Sequence, residues 1–227
     1  MIETHPTIDV DQYADTIKTS ILKDGKVETY QCMEEIDELQ NVDSVVVKVT
    51  AICVSINWND IRSLSDRATI IKGMYLALME NAKCKDIFSM EDKIMAIFDT
   101  PFKKNIDAVL DSVAKLNAMF SLVDKLYTKS SLSGISHGIG MSYGKALLTK
   151  INNEERPEYN WGGEALELAL KLSEIEQSKD YIVRASYTIF NNLKEDYQKL
   201  FEKVGFDDYY GANPVNIALN KWIIANI

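Results

Sequence analysis

The stretch CKDIFSMEDKIMAIFDTP, from Cys84 to Pro101, sets two short apolar runs on either side of an acidic pair, Glu91 and Asp92. Runs of this length around a charged tripeptide read as strands joined by a tight turn. Ile87 to Met90 and Ile94 to Phe98 are therefore expected to form a hairpin around Glu91-Asp92-Lys93. Two carboxylates at its tip make that turn the first candidate site.

Working outward, Val45 to Trp58 (VVVKVTAICVSINW) is rich in β-branched residues and carries too little charge for an exposed helix, so it reads as a central strand. Ser55, Asn57, Asn59 and Asp60 cluster at its end. Ser65 to Ala82 follows as a helix, with Asp66 as a candidate cap and Ile70, Met74, Ala77 and Leu78 on one face. Downstream, Ile106, Val109, Leu110, Val113, Leu116, Phe120 and Val123 recur at three-and-four spacing and make Ile106 to Tyr127 the clearest helix. Gly138 to Leu148 (GIGMSYGKALL) reads as a strand pair turning around Ser142 to Gly144. Asn152 to Tyr159 reads as loop, Glu164 to Glu174 as helix, Tyr181 to Ser186 as strand and Tyr187 to Phe201 as helix. The tail carrying Trp222 returns as an edge strand or short helix. Before the central strand, Ile8 to Leu39 reads as one amphipathic helix with Tyr13, Ile17, Ile21 and Leu22 at helical spacing, a turn at Asp24-Gly25, and a short extended or helical segment ending near Leu39.

A chain of 227 residues with 46% apolar and 26% charged content suits one globular domain. Its net charge of -9 argues against a general nucleic-acid binder, which needs a basic surface to neutralise phosphates. An anionic nucleotide would need local help from lysine, backbone N–H groups or a metal. Cys32, Cys53 and Cys84 are odd in number and widely spaced, which suggests a reducing, cytoplasmic setting. No apolar run approaches the roughly 20 residues that span a bilayer, so no membrane partner is expected.

No GxGxxG, P-loop or HExxH motif occurs, and GIGMSYGK lacks the Walker spacing. His5 and His137 are too far apart in sequence to suggest a zinc site. The element order is more informative: strand, helix, hairpin, long helix, strand pair, helix, strand, helix. It describes an α+β sandwich, a mainly antiparallel sheet with flanking helices.

With that order in place, MEDKIMAIFDTP, the following KKNIDAVLDSVAKLN, GIGMSYGKALLTK, the Trp161-Gly162-Gly163 ahead of a helix containing ALKL, and IFNNLKEDYQKLF resemble the class III adenylate/guanylate (nucleotide) cyclase domain. The likeness is to bacterial Pycsar pyrimidine cyclases, which make cyclic UMP or cyclic CMP in anti-phage signalling, and it covers about Val45 to Phe201. It divides the chain into an N-terminal helical extension, 1–44, and a cyclase-like domain, 45–227.

In that family the site lies at a head-to-tail dimer interface. Two aspartates of one subunit hold Mg²⁺ or Mn²⁺ on the triphosphate, and polar groups of the other read the base and steady the transition state. Carried over residue by residue, the resemblance puts Asp92 at the second metal aspartate, with Glu91 replacing a glycine. It puts Ser55 at the first metal position, or Asp60 if Asp60-Ile61-Arg62 is aligned there instead; Ser55 is favoured because the Asp60 alignment overextends the strand. On the partner-facing helix Glu164 takes the base-reading position, Glu167 replaces the transition-state asparagine and Lys171 keeps the basic position. Phe88, four residues before Asp92, is placed to stack on the base.

Three site positions, Ser55, Glu91 and Glu167, thus depart from the pattern while the scaffold is kept. The expectation is a degraded cyclase that binds UTP or CTP or regulates a partner, as a homodimer or a heterodimer with a homologous cyclase. The alternative is an active pyrimidine cyclase using Asp60 or Glu91 as replacement carboxylate.

Overall fold

The computed structural model describes residues 28–30, 44–61, 63–90, 92–129, 134–152, 157–174, 180–204 and 208–227. The expected helix carrying Tyr13, Ile17, Ile21 and Leu22 and the Asp24-Gly25 turn lie outside them.

Strand β2, Ser44–Ile56, is the centre of the molecule. On one side it pairs antiparallel with β4, Lys93–Asp99, and β4 pairs with β3, Cys84–Met90. On the other side it runs antiparallel to β5, His137–Asn152, through every position from Ser44↔Thr149 to Ile56↔His137. A short β1, Glu28–Tyr30, adds parallel to its first turn of ladder. β5 also carries β6, Pro157–Gly162, and then β7, Val183–Ser186, in parallel. β9, Tyr209–Ala212, and the two-residue β8, Glu202–Lys203, complete the far edge. The spatial order is β3-β4-β2-β5-β7-β9-β8, so the sheet is mixed but mostly antiparallel, as expected.

Because side chains alternate along a strand, β2 divides its apolar residues between two cores. Ile52, Val54 and Ile56 face α1, Leu64–Met79, and the long α2, Lys103–Lys129. Val45, Val47, Val49, Ala51 and Cys53 face a smaller core shared with Ala165, Leu166 and Ala169 of α3, Glu164–Leu172. Ile106, Val109, Leu110, Val113, Leu116 and Phe120 of α2 are all buried, so the three-and-four pattern read in the sequence is the face that meets the sheet.

Four local expectations need correction. Gly138 to Leu148 is not a strand pair: it lies inside the uninterrupted β5. Gly140 serves close approach rather than a turn. A Cβ on Gly140 would collide with the Ala169 carbonyl and come within 2.7 Å of the Ser173 amide nitrogen, where the end of α3 rests on the strand. The expected loop at Asn152 to Tyr159 begins in β5 and ends in β6. The expected helix from Tyr187 to Phe201 is two short helices, α4, Tyr187–Asn192, and α5, Glu195–Gln198. Between them Leu193 and Lys194 are extended, because the Leu193 side chain is buried and the Lys194 amide donates to Asp107 Oδ1 of α2 at 3.1 Å. The cap of α1 is Ser63, whose Oγ accepts from the Asp66 amide at 3.0 Å, so Asp66 sits inside the first turn. The tail is a helix, α6, Ile217–Asn226.

Two consequences are measurable. Gly140→Ala drives a methyl into backbone that has no flexible end to yield, and should cost about 2–4 kcal/mol. At about 2–4 °C per kcal/mol for a domain of this size, the melting temperature falls visibly in a thermal scan. His137 stacks on Phe120 with ring centroids 4.0 Å apart, and burial lowers its pKa to about 4 against the opposing Ile135 carbonyl and Asp124 charge. The unfolded chain, with a pKa near 6.5, therefore takes up this proton first. Stability present above about pH 6.5 is lost as pH falls toward 4. Urea midpoints at pH 7 and pH 4.5 should differ more for the wild type than for His137→Phe.

Candidate functional site

The hairpin β3–β4 and the end of β2 come together as the sequence implies. The Ile56 amide donates to the Asp92 carbonyl at 3.2 Å, and Ser55 lies directly opposite Lys93 in the ladder. This puts the Ser55 position and Asp92 side by side at one end of the sheet. Asp92 has a half-exposed side chain, with Lys93 Nζ 3.5 Å from its Oδ1. Glu91 lies outside the described residues.

Ser55 points the other way, into the fold. It is 2% exposed, and its hydroxyl meets Ser173 Oγ at 2.7 Å. Ser173, the residue that caps α3 at its C-terminal end, also donates to the Leu170 carbonyl at 2.8 Å and lies 3.3 Å from Cys53 Sγ. With Ser173 donating to a carbonyl, Ser55 is left as the donor to Ser173 Oγ, which closes a small hydroxyl network. Burial pushes the Cys53 thiol up to about 11, opposed by the Ser173 hydrogen bond and by Lys93, and assisted by Asp92. The Lys93 and Asp92 charges are therefore both felt on the α3 side of the sheet.

Asp60 is occupied as well. It lies in a short 3-10 turn, Trp58–Asp60, where its Oδ1 accepts from Asn57 Nδ2 at 3.1 Å and its Oδ2 accepts from the Ser136 amide at 2.9 Å. Both oxygens hold the loop after β2 against the start of β5.

α3 presents the remaining positions. Its entry needs Gly163, whose φ of 107° lies in the left-handed region that side chains disfavour. Ala165, Leu166, Ala169 and Leu172 then face inward, which leaves Glu164, Glu167 and Lys171 exposed on the outer face. Phe88 is half-buried, against the same α3-side core as Trp161. The indole Nε1 of Trp161 donates to Asp86 Oδ2 of β3 at 2.9 Å, tying the entry of α3 to the edge strand.

Mg²⁺ and Mn²⁺ take carboxylate oxygens, and a two-ion centre needs several of them converging. Among the described residues no group of three or more His, Cys, Asp or Glu is placed to hold an ion. Asp92 is the carboxylate at the hairpin, Ser55 offers a neutral hydroxyl already bonded inside, and Asp60 is committed to its loop. The described residues do not fit a two-ion centre. Behind the hairpin, Trp58, Arg67, Ile71, Ser89, Lys93 and Ile94 line a cavity of about 220 Å³, below the size of typical ligand pockets.

Sequence reasoning missed Ser173, Lys93 and Trp161. Period-two alternation from Met95 and Ile97, both in the α3-side core, was the available signal for Lys93. No sequence signal pointed from Ser55 to Ser173, which lies 118 residues away.

The buried setting of Ser55 makes a sharp expectation. Ser55→Asp puts a carboxylate in a buried site against the carbonyl end of α3, and should cost about 2–4 kcal/mol. Ser55→Ala removes one hydrogen bond and should cost about 1 kcal/mol. Denaturant midpoints for the two variants should rank in that order, both below the wild type.

No protein-family model matches the chain. A uridylate cyclase of Treponema porcinum is 27% identical over 58% of this chain and 49% of its own length, so the chain spans about half of that relative. A bacterial light-regulated adenylyl cyclase superposes with a TM-score of 0.64 at 14% identity, over 94% of this chain and 68% of that one. A class III adenylyl cyclase-like ATP-binding protein from Pseudomonas aeruginosa gives 0.62 at 11% identity, over 95% and 49%. The adenylyl cyclase CyaB from P. aeruginosa gives 0.58 at 13%, over 75% and 96%. The likeness to the class III nucleotide cyclase domain, first seen in short stretches of sequence, thus holds through the whole architecture: the chain has the class III cyclase fold.

Proposed function

We propose that this chain is a Pycsar-type nucleotide cyclase homologue of anti-phage signalling in which the metal half of the site has been given up. It binds a pyrimidine nucleoside triphosphate, UTP or CTP, or regulates a partner, and does not cyclise. The observation that carries the reading is Ser55, buried and bonded to Ser173 where the resemblance puts the first metal carboxylate. Glu167 adds to it: an exposed carboxylate at the position of a transition-state amide repels a triphosphate instead of donating to it. The P. aeruginosa neighbour described as cyclase-like and ATP-binding supports a nucleotide-binding role on this scaffold.

The site is open in one chain, with Asp92 and the outer face of α3 both at the surface. Pairing of two copies, or of this chain with a homologous cyclase, would bring the hairpin of one subunit to the α3 face of the other. Lys171 would then supply a cation to the triphosphate, while Glu164 would face the base and Phe88 would stack on it.

An active cyclase is the second reading, favoured by the activity named for the Treponema relative. It needs Glu91 as its replacement carboxylate, since using Asp60 would break two hydrogen bonds that hold the loop after β2.

One assay separates the two. Purified protein incubated with each of the four triphosphates and Mn²⁺ should give no cyclic nucleotide by mass spectrometry, while UTP or CTP should raise the melting temperature. Cyclic UMP or cyclic CMP formed by the wild type and lost in Asp92→Ala would establish the active reading.

A further inference from the structure

We infer that the ammonium of Lys93 stands where a metal cation would otherwise sit, so that a nucleotide triphosphate is held here without a divalent ion. The inference rests on the nucleotide-binding reading above and adds how the phosphate charge is met.

Three observations converge on Lys93. It is the ladder partner of Ser55, so its backbone joins the vacated carboxylate position to Asp92 in a single step of strand. Its Nζ lies 3.5 Å from Asp92 Oδ1, on the carboxylate that the resemblance assigns to a metal. It alternates with Met95 and Ile97, whose side chains pack in the α3-side core, which is the face carrying Ser55 and Cys53. The side chain keeps partial exposure, 26%, so the ammonium is reachable from solvent while its stem is held.

Charge bookkeeping gives the chemical reason. Two carboxylates facing one another repel, and a divalent ion both relieves that repulsion and draws in phosphate. Here the described set is one carboxylate, Asp92, one neutral hydroxyl, Ser55, and one ammonium, Lys93. Within that set the charges balance, so the Asp92 carboxylate is matched by Lys93 before any divalent ion arrives. A lysine is an effective phosphate binder as a point charge. Its bond to Asp92 is an exposed pair, worth about 0–1 kcal/mol, and a polyanionic triphosphate can compete for it.

The test uses the full chain and UTP and CTP as probes, titrated calorimetrically in EDTA and in Mn²⁺. Affinities should agree within about threefold in the two buffers. Lys93→Gln should weaken binding in EDTA at least about tenfold, and Lys93→Arg should restore most of it. Both variants change a partly exposed side chain, and their melting temperatures check the fold. Binding that vanishes in EDTA, or that Lys93→Gln leaves intact, overturns the role of Lys93 while the nucleotide reading stands. Failure of both UTP and CTP to bind in either buffer overturns this inference and the nucleotide-binding reading together. Manganese electron paramagnetic resonance on nucleotide-free protein gives an independent readout. The free Mn²⁺ signal should be unaffected by the wild type, and its loss on one tight site that Asp92→Ala abolishes would overturn the inference.

Discussion

The pairing of β2 with β5 over its full length is the constraint from which the rest of the molecule follows. Once every residue from Ser44 to Ile56 has a fixed partner, the strand cannot slip, because a one-residue shift would turn each buried side chain to the wrong core. The alternation then assigns Ile52, Val54 and Ile56 to the two-helix layer and Val49, Ala51 and Cys53 to the α3 layer. The same register ends β2 with Ser55 opposite Gly138 on one side and Lys93 on the other. The position of the candidate site is thus an outcome of sheet pairing, not of any loop.

The α3 layer is thin, and that makes it exacting. Gly140 lets the last turn of α3 approach the strand so closely that no Cβ fits, whereas at the other end a Cβ on Gly144 would meet Ala165 at an ordinary 3.7 Å. With the helix seated this low, Ser173 arrives within hydrogen-bonding distance of Ser55. A carboxylate at that position would face the carbonyl end of a helix, where the dipole is negative. The hydroxyl pair and the close-packed glycine are therefore one arrangement: a change at either must be accommodated by the other.

Much of this fold was legible in the sequence because its signals are periodic. The β-branched run of β2, the three-and-four spacing of α2 and the two apolar arms around Glu91-Asp92 each specify an element through burial on one face, and each was found. The misreadings share a different cause. The glycines of GIGMSYG suggest a turn in the sequence, yet Gly140 is needed for the approach of a helix that begins only after Gly163. The break at Leu193 and Lys194 depends on Asp107 of another element. Of the candidate site, the resemblance put Asp92 at the hairpin and Glu164, Glu167 and Lys171 on one helix, and all four side chains lie at the surface there. The inward commitment of Ser55 and Asp60 could not be read from the sequence, because it rests on contacts with Ser173 and Ser136 that are distant in the chain.

The electrostatics of the candidate site run against the protein's overall sign. A chain with a net charge of -9 repels a triphosphate at long range, and the outer face of α3 adds Glu164 and Glu167 to that field. Screening at physiological salt confines such repulsion to about 8 Å, so attraction has to be local. In the proposed head-to-tail pair, Lys171 on α3 and Lys93 on the hairpin would lie one on each of the faces brought together. A single subunit would then offer an anionic ligand one of these cations at a time, and a dimer both. Under that proposal nucleotide binding and subunit association would be coupled, because a triphosphate engaging both lysines would also hold the two chains together.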